Sequence, residues 1–254
     1  MTQWVLGFLA GVVIAAVTTP VGVSGAVFLL PFQLSVLQVP SPAVTPTNLL
    51  YNVISVPGSI YRYSRNGSLR SPLTAQILLG TLPGVVLGAL LRIFVLPGGI
   101  VFRVLVAVLL LPLGIWLLAR RETAPRARLP RPALVVALGF AAGLVGGVYG
   151  IGGGALLAPV LVGLGCGAVL VAPATLVATF VTSLAGVAVY ASLALAGHPQ
   201  AAPDWDIALA CGLGGLVGGY VGAALQPRLS ADLLRRGLGL VSIGLALSYL
   251  LAVL

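Results

Sequence analysis

Two glycine-rich interruptions, at a fixed separation along the chain, constrain the fold more than any other feature. The run from Gly150 to Gly154 interrupts a long apolar stretch, and Pro159 follows nine residues after its first glycine. The run from Gly22 to Gly25 does the same before Pro31, at an offset of 128 residues. Glycine has no Cβ, so the chain can leave helical geometry there and expose backbone N–H groups. Inside a bilayer such a break is tolerated only where it is buried in protein or lines a wet cavity.

The match between the two parts of the chain extends beyond the breaks. Residues that match at the same offset of 128 are Thr47 with Thr175, Ser55 with Ser183, and Gly58 with Gly186. Other matches are Gly7/Gly11 with Gly139/Gly143 at an offset of 132, and Gly84/Gly88 with Gly218/Gly222 at 134. Such repetition predicts a tandem duplication of one transmembrane unit. We therefore predict a first repeat over 1–119, a basic linker over 120–132 and a second repeat over 133–254.

The chain predicts an all-α polytopic membrane protein, because 59% of its residues are hydrophobic, 7% are charged and its mean hydropathy is +1.16. Ten apolar segments are predicted, at Gln3–Val17, Ala26–Leu37, Thr47–Tyr63, Pro72–Leu96, Ile100–Ala119, Ala133–Val148, Ala155–Gly165, Pro173–Leu195, Trp205–Leu225 and Leu233–Leu254. The second segment spans only about 18 Å as a helix, against a hydrocarbon core of about 30 Å. Each half is therefore predicted to hold a glycine-broken helix pair, of which a re-entrant hairpin is one form, plus three transmembrane helices. Eight and ten crossings remain alternatives.

All thirteen basic residues are arginines, and most of them fall in three clusters between apolar segments. The clusters are Arg62/Arg65/Arg70, Arg120/Arg121/Arg126/Arg128/Arg131 and Arg228/Arg235/Arg236. Cytoplasmic loops of membrane proteins are enriched in basic residues. Placing all three clusters in the cytoplasm requires two repeats of inverted topology. Membrane topology thus explains the net charge of +9, and no nucleic-acid partner is predicted.

Polar residues form a strip on the third segment of each half. Thr47, Tyr51 and Ser55 are spaced by four residues and so share one helix face. Their partners in the second half are also polar, and Asn48 and Asn52 extend the strip in the first. Hydrogen bonds between helices, or back to the helix backbone, are the alternative role for each residue. With the two breaks, the strips form a predicted substrate site of neutral donors, without a buried arginine: Gly22, Ser24, Gly25, Thr47, Asn48, Tyr51, Asn52, Ser55, Tyr149, Gly150, Gly152, Gly153, Gly154, Thr175, Thr179 and Ser183.

Catalytic, metal and cofactor sites are not predicted. The single histidine, His198, lies in a polar loop, and the four acidic residues lie at loops or segment ends. The two cysteines have neither metal-ligand spacing nor a disulfide framework. Arg92 and Arg103, near segment ends on the predicted outer side, are interpreted as side chains that extend to the interface, and a positive outer vestibule is the alternative.

The paired halves, each with a glycine-rich break, an apolar turn and a proline, resemble the sulfite exporter TauE/SafE family of membrane permeases. The copy from Gly150 to Pro159 is a close match, whereas the first copy departs from it by reading Gly22-Val23-Ser24-Gly25-Ala26. The resemblance implies a permease that moves small sulfur-containing anions, such as sulfite or organosulfonates, generally outward across a bacterial cytoplasmic membrane. Two other functions remain alternatives: a non-catalytic membrane subunit of a larger complex, and a membrane-embedded enzyme.

Overall fold

A computed structural model describes residues 1–21, 23–64, 71–96, 98–119, 130–225 and 231–252. Ten α-helices occupy these ranges: α1 Thr2–Val21, α2 Gly25–Ser35, α3 Val44–Ser64, α4 Pro72–Phe94, α5 Gly99–Ala119, α6 Pro132–Tyr149, α7 Gly153–Gly163, α8 Ala168–Leu195, α9 Trp205–Leu225 and α10 Ala231–Leu251. A 3-10 turn, Pro199–Ala201, precedes α9. The predicted segments correspond to these helices one for one. The largest difference is at α8, which begins five residues before Pro173.

Seven helices of the described chain are long and apolar enough to cross a membrane. The helix α3, with 21 residues, has the length of a span, but it carries the polar strip and is not one of these seven. The remaining two, α2 and α7, have 11 residues each, which corresponds to about 16 Å of helix and is too short to span a bilayer. The prediction of an all-helical, multi-pass membrane protein is confirmed.

Each short helix follows a sharp break and turns back along the helix before it. At the first break Ser24 caps α2, and its hydroxyl accepts a hydrogen bond from the Ala26 N–H. A Cβ on Gly25 would lie 3.3 Å from the Thr18 hydroxyl of α1. At the second break Gly150 and Gly152 have φ values of 77° and 74°, which side chains with a Cβ rarely adopt. The predicted broken helix pairs are therefore present, and both are hairpins.

Two pairs of long helices, α1 with α9 and α4 with α6, pack across the boundary between the two halves. Glycines of α9 lie against α1 in the order Gly214–Phe8, Gly218–Val12 and Gly222–Ala16, so closely that a Cβ would overlap a backbone carbonyl. Glycines of α4 lie against α6 in the same way, in the order Gly80–Val136, Gly84–Phe140 and Gly88–Leu144. Close approach at rows of small residues spaced by four is typical of membrane helices. The first helix of each half therefore packs on the fourth helix of the other half, so the two halves are joined by two equivalent helix pairs.

These contacts correct the register in which the two copies of the first helix were matched. Gly11 packs on the Cys211 carbonyl, and Gly139 packs on the Ile77 carbonyl. Ile77 and Cys211 are equivalent positions, because α4 and α9 match at an offset of 134. Gly11 is therefore equivalent to Gly139, at an offset of 128 rather than 132. Glycines recur every four residues in these helices, so the sequence match slipped by one helical turn.

The directions of the helices follow from the order of their contacts. α3 and α9 run parallel, since Gly212 meets Ile54 and Gly219 meets Ser59. α5 and α10 run antiparallel, since Gly114 meets Ile243 whereas Gly239 meets Leu118. The helix ends that flank the three arginine-rich connections therefore lie together, at what we call the arginine end: Ser64, Ala119, Arg131 and Leu225. This arrangement is compatible with the predicted inverted repeats. Residues 65–70, 120–129 and 226–230, with the arginines that they carry, lie outside the described residues, and the boundaries of the halves stay a prediction.

Candidate functional site

A cavity of about 150 Å³ lies where the first hairpin meets α3, α7, α8 and α9. Seven residues of the predicted site line it: Ser24, Gly25, Tyr51, Asn52, Ser55, Thr175 and Thr179. Small apolar residues of α7 and α8, with Gly215 and Gly219 of α9, complete the wall. The cavity thus combines the first break with the polar strips of both halves, which are more than a hundred residues apart in the chain.

The cavity lies in the half of the bundle that includes the arginine end. Its lining residues Thr19, Trp116 and Val162 lie within three residues of the ends of α1, α5 and α7. Ser59 of α3 and Gly219 of α9 are also in the last third of their helices. A molecule entering from the arginine end therefore reaches the first break without crossing the bundle.

The α3 wall of the cavity provides its unpaired polar groups. Asn52 is 1% exposed, and neither its amide nitrogen nor its amide oxygen has a hydrogen-bond partner among the residues that the structure describes. Tyr51 and Ser55 are buried beside it and interact with each other. A buried amide without a partner costs about 1–3 kcal/mol. A polar ligand in the cavity would recover that energy, which makes Asn52 the strongest ligand-binding candidate of the set.

On the α8 wall, by contrast, the threonine hydroxyls donate hydrogen bonds to carbonyls of α8 itself. The Thr175 hydroxyl donates to the Val171 carbonyl at 2.9 Å, and the Thr179 hydroxyl donates to the Thr175 carbonyl at 2.8 Å. The alternative that the sequence left open, hydroxyls bonded back to their own helix, is therefore present here. Because these hydroxyls donate within α8, the donors that remain for a ligand are the Asn52 amide and the Ser24 hydroxyl.

The second glycine break does not line the cavity. The Gly153 N–H donates to the Thr182 hydroxyl at 3.1 Å. A Cβ on Gly152 would lie 2.8 Å from the Ser183 hydroxyl, and one on Gly153 would lie 2.7 Å from Thr81 Cβ. The same holds for Gly154, whose missing Cβ leaves room for the Thr175 carbonyl. The glycines of this break bring α7 against α8 and α4, and their predicted contact with substrate remains a prediction.

Several other predicted site residues also lie outside the cavity, where they join elements together. The Thr47 hydroxyl accepts from the Asp204 N–H at 2.9 Å, and the Asn48 amide donates to the Ala26 carbonyl at 2.9 Å. The Tyr149 hydroxyl donates to the Leu105 carbonyl, and Gly150 packs on Thr45. Ser183 is fully buried, and its hydroxyl has no hydrogen-bond partner. Gly22 lies outside the described residues.

One prediction about charge is wrong. Arg92 was expected to extend to the membrane interface, with a positive outer vestibule as the alternative. Arg92 is instead fully buried, and its guanidinium carbon lies 4.0 Å from the centroid of the Phe102 ring. The α2–α3 connection covers it, because Ser41 in that connection accepts a hydrogen bond from the guanidinium. Arg103 is exposed, as the sequence predicts.

Sequence reasoning missed some polar residues of the bundle. Ser59, Thr18 and Thr19 line the cavity, and Gln33 of α2 is fully buried, with no hydrogen-bond partner for its amide and the Cys211 thiol beside it. The signal for Gln33 was available, since it is the one amide side chain within the predicted segment Ala26–Leu37, which is otherwise apolar except for Ser35. Within the described residues, no group of three or more His, Cys, Asp or Glu side chains is arranged to hold a metal ion.

Comparison with known proteins agrees with this architecture. Residues 6–249 match the family model described as sulfite exporter TauE/SafE. Two proteins of Xylella fastidiosa, from strains Temecula1 and 9a5c, are each 31% identical over 177 residues and are named probable membrane transporter protein. The aligned part covers 67% of this chain and 64% of each relative. No solved structure matches the chain. With a match over nearly its whole length, the chain belongs to the TauE/SafE family of membrane transporters.

Proposed function

We propose that the protein carries a small oxyanion, sulfite or an organosulfonate, outward across a bacterial cytoplasmic membrane, and that the cavity is its loading site. The observation that carries this proposal is the convergence of Ser24, from the first break, and Asn52, from α3, on one cavity. A volume of about 150 Å³ is below the roughly 300–1,000 Å³ usual for drug-sized ligands. This volume therefore suits a small occupant, such as a partly hydrated oxyanion.

Helix ends favour an anion over a cation. α2 begins at Gly25, which lines the cavity, and Val171 and Ala172 place the first turns of α8 on another wall. The N-terminus of a helix carries a partial positive charge and free N–H groups. None of the acidic residues in the described ranges lines the cavity. A neutral lining of amide and hydroxyl groups then orients the anion by hydrogen bonds.

The arginine end provides the direction. Following the positive-inside rule, the arginine end, which includes the exposed residues Arg62 and Arg131, faces the cytoplasm. The cavity lies in the half of the bundle on that side, which supports entry of the anion from the cytoplasm. The two halves then act as inverted repeats that expose the site in turn to each side of the membrane.

Flux measurements with the purified full-length chain in proteoliposomes test this proposal. We expect transport of sulfite and of a small organosulfonate, and no transport of a small amine of similar size. Sulfate and thiosulfate in the same panel define the selectivity among sulfur oxyanions. Amine transport at the rate of sulfite would contradict an anion site. The alternative function, a non-catalytic membrane subunit, expects no flux from the chain alone, and the polar cavity favours the transporter.

A further inference from the structure

Arg92 is a buried cation whose described contacts are all neutral. Its Nε donates to the Thr45 hydroxyl at 3.2 Å, and its other nitrogens donate to the Leu96 carbonyl and the Ser41 hydroxyl. The ion pair that occurs within the described residues is Arg235 with Asp232, so none of the described carboxylates lies within 4.0 Å of Arg92. A buried charge in a membrane protein is costly and marks ion pathways. An anion is the partner that this environment favours.

The polar face of α3 connects Arg92 to the cavity. Asn52, Asn48 and Thr45 are spaced by four and three residues, so they lie on one face of the helix. Asn52 lines the cavity, and Thr45 receives the hydrogen bond from Arg92. Between them, the amide oxygen of Asn48 is buried without a hydrogen-bond partner. Polar groups thus follow one another from the loading site to the guanidinium.

Thr45 also connects Arg92 to the second glycine break. The Thr45 hydroxyl donates to the Val148 carbonyl at 3.0 Å. A Cβ on Gly150 would overlap the Thr45 carbonyl. The second break therefore lies against the group that holds Arg92, just as the first break lies against the cavity.

On its other side Arg92 approaches the surface opposite the arginine end. Ser41, its hydrogen-bond partner, lines a hollow of about 420 Å³ between the α2–α3 connection and the first residues of α5. Exposed Arg103 lies in the same hollow. The hollow and the cavity share no lining residue. A positive region that contains Arg103, separate from the loading site, therefore faces the far side of the membrane.

We propose that Arg92 is the outer binding site of the transported anion, which it holds after the anion leaves the cavity and before release through the hollow. This rests on the proposed function, since it requires an anionic substrate. A guanidinium presents five N–H donors in a plane that matches two oxygens of a sulfite or sulfonate group. The anion replaces neutral acceptors on these donors, and the hydroxyl of Ser41 turns to donate to it. The negative charge of the bound anion stabilises the buried positive charge of Arg92. This stabilisation lasts only while the substrate occupies the site.

Membrane vesicles of known orientation test this site. The measurements use radiolabelled sulfite: the apparent KM in inside-out vesicles reports loading, and inhibition of outward flux by external sulfite in right-side-out vesicles reports the outer site. For Arg92→Met we expect an unchanged apparent KM for loading. External inhibition should require about 10- to 100-fold more sulfite, as expected for a lost charge-assisted hydrogen bond. Arg92→Lys keeps the charge but not the planar fork, so its shift should be smaller.

Arg235→Met is the matched control, because Arg235 is a buried arginine at the arginine end with its own partner, Asp232. It should leave external inhibition unchanged. An Arg92 that only fastens the α2–α3 connection would predict a lower melting temperature without a change in external inhibition, and that result would overturn the proposal. Should Arg92→Met fail to insert, Arg92→Lys and Arg92→Gln are judged by the same criterion. Absence of any anion flux in the wild type would contradict the proposed function itself.

Discussion

The Tyr51 hydroxyl occupies the space that a side chain on Gly25 would need: a Cβ built on Gly25 lies 2.6 Å from that oxygen. The contact joins the first residue of α2 to the middle of α3, and both residues line the cavity. The width of the loading site therefore depends on the absence of a single methyl group.

Gly25→Ala should lower sulfite flux strongly, because Tyr51 has to move into the cavity to admit the new methyl group. Adding Tyr51→Phe removes the clashing oxygen and should restore part of the flux. Gly163→Ala is the matched control, since no atom lies within 4 Å of the added Cβ. Flux in proteoliposomes measures all three. Wild-type flux in Gly25→Ala would show that substrate does not pass this contact.

Asn52→Leu should separate binding from stability. The loss of one hydrogen bond to substrate raises the apparent KM by about 10-fold, corresponding to roughly 1.4 kcal/mol. The melting temperature should stay the same or rise, because the Asn52 amide has no protein partner to lose. Thr182→Val should instead lower the melting temperature and leave the apparent KM unchanged. The reason is that the Thr182 hydroxyl accepts a hydrogen bond from the Gly153 N–H outside the cavity. An unchanged KM in Asn52→Leu would remove Asn52 from the site.

Gly84→Val and Gly218→Val should destabilise the protein to a similar extent, because each residue packs on a backbone carbonyl at an equivalent contact between the halves. Overpacking of this kind costs about 1–3 kcal/mol or more. Thermal unfolding in detergent measures the effect. Gly244→Val, at an exposed glycine with nothing within 4 Å, should be neutral. Equal stability of all three variants would contradict the close packing of α4 on α6 and of α9 on α1.

Cysteine labelling from each side of the membrane tests the topology. Ser64 and Gln200 are exposed, and the native Cys166 and Cys211 are buried. Ser64→Cys should react from the cytoplasmic side, together with Arg131→Cys, and Gln200→Cys from the outside. Reaction of Ser64→Cys and Gln200→Cys from the same side would refute the inverted repeats.

Local physical chemistry explains how much of the fold could be predicted from the sequence. The helix positions follow from the lengths of the apolar segments, and the short lengths of α2 and α7 follow from the glycine breaks that precede them. The left-handed conformations at Gly150 and Gly152 are likewise set within a few residues. Part of the site was also predictable, because the polar strips on α3 and α8 depend only on helical spacing.

The tertiary structure decided what no local pattern contains. Both breaks are glycine-rich, yet the first lines a cavity, whereas Gly153 of the second is held by Thr182 and Thr81. Arg92 lies two residues before the end of α4, where an exposed side chain was the reasonable expectation. Its burial depends on Ser41 and Phe102, which reach it from the α2–α3 connection and from α5. The sequence determined where helices begin, end and break, whereas exposure depends on which distant segments pack on a residue, because burial is a property of the assembled bundle.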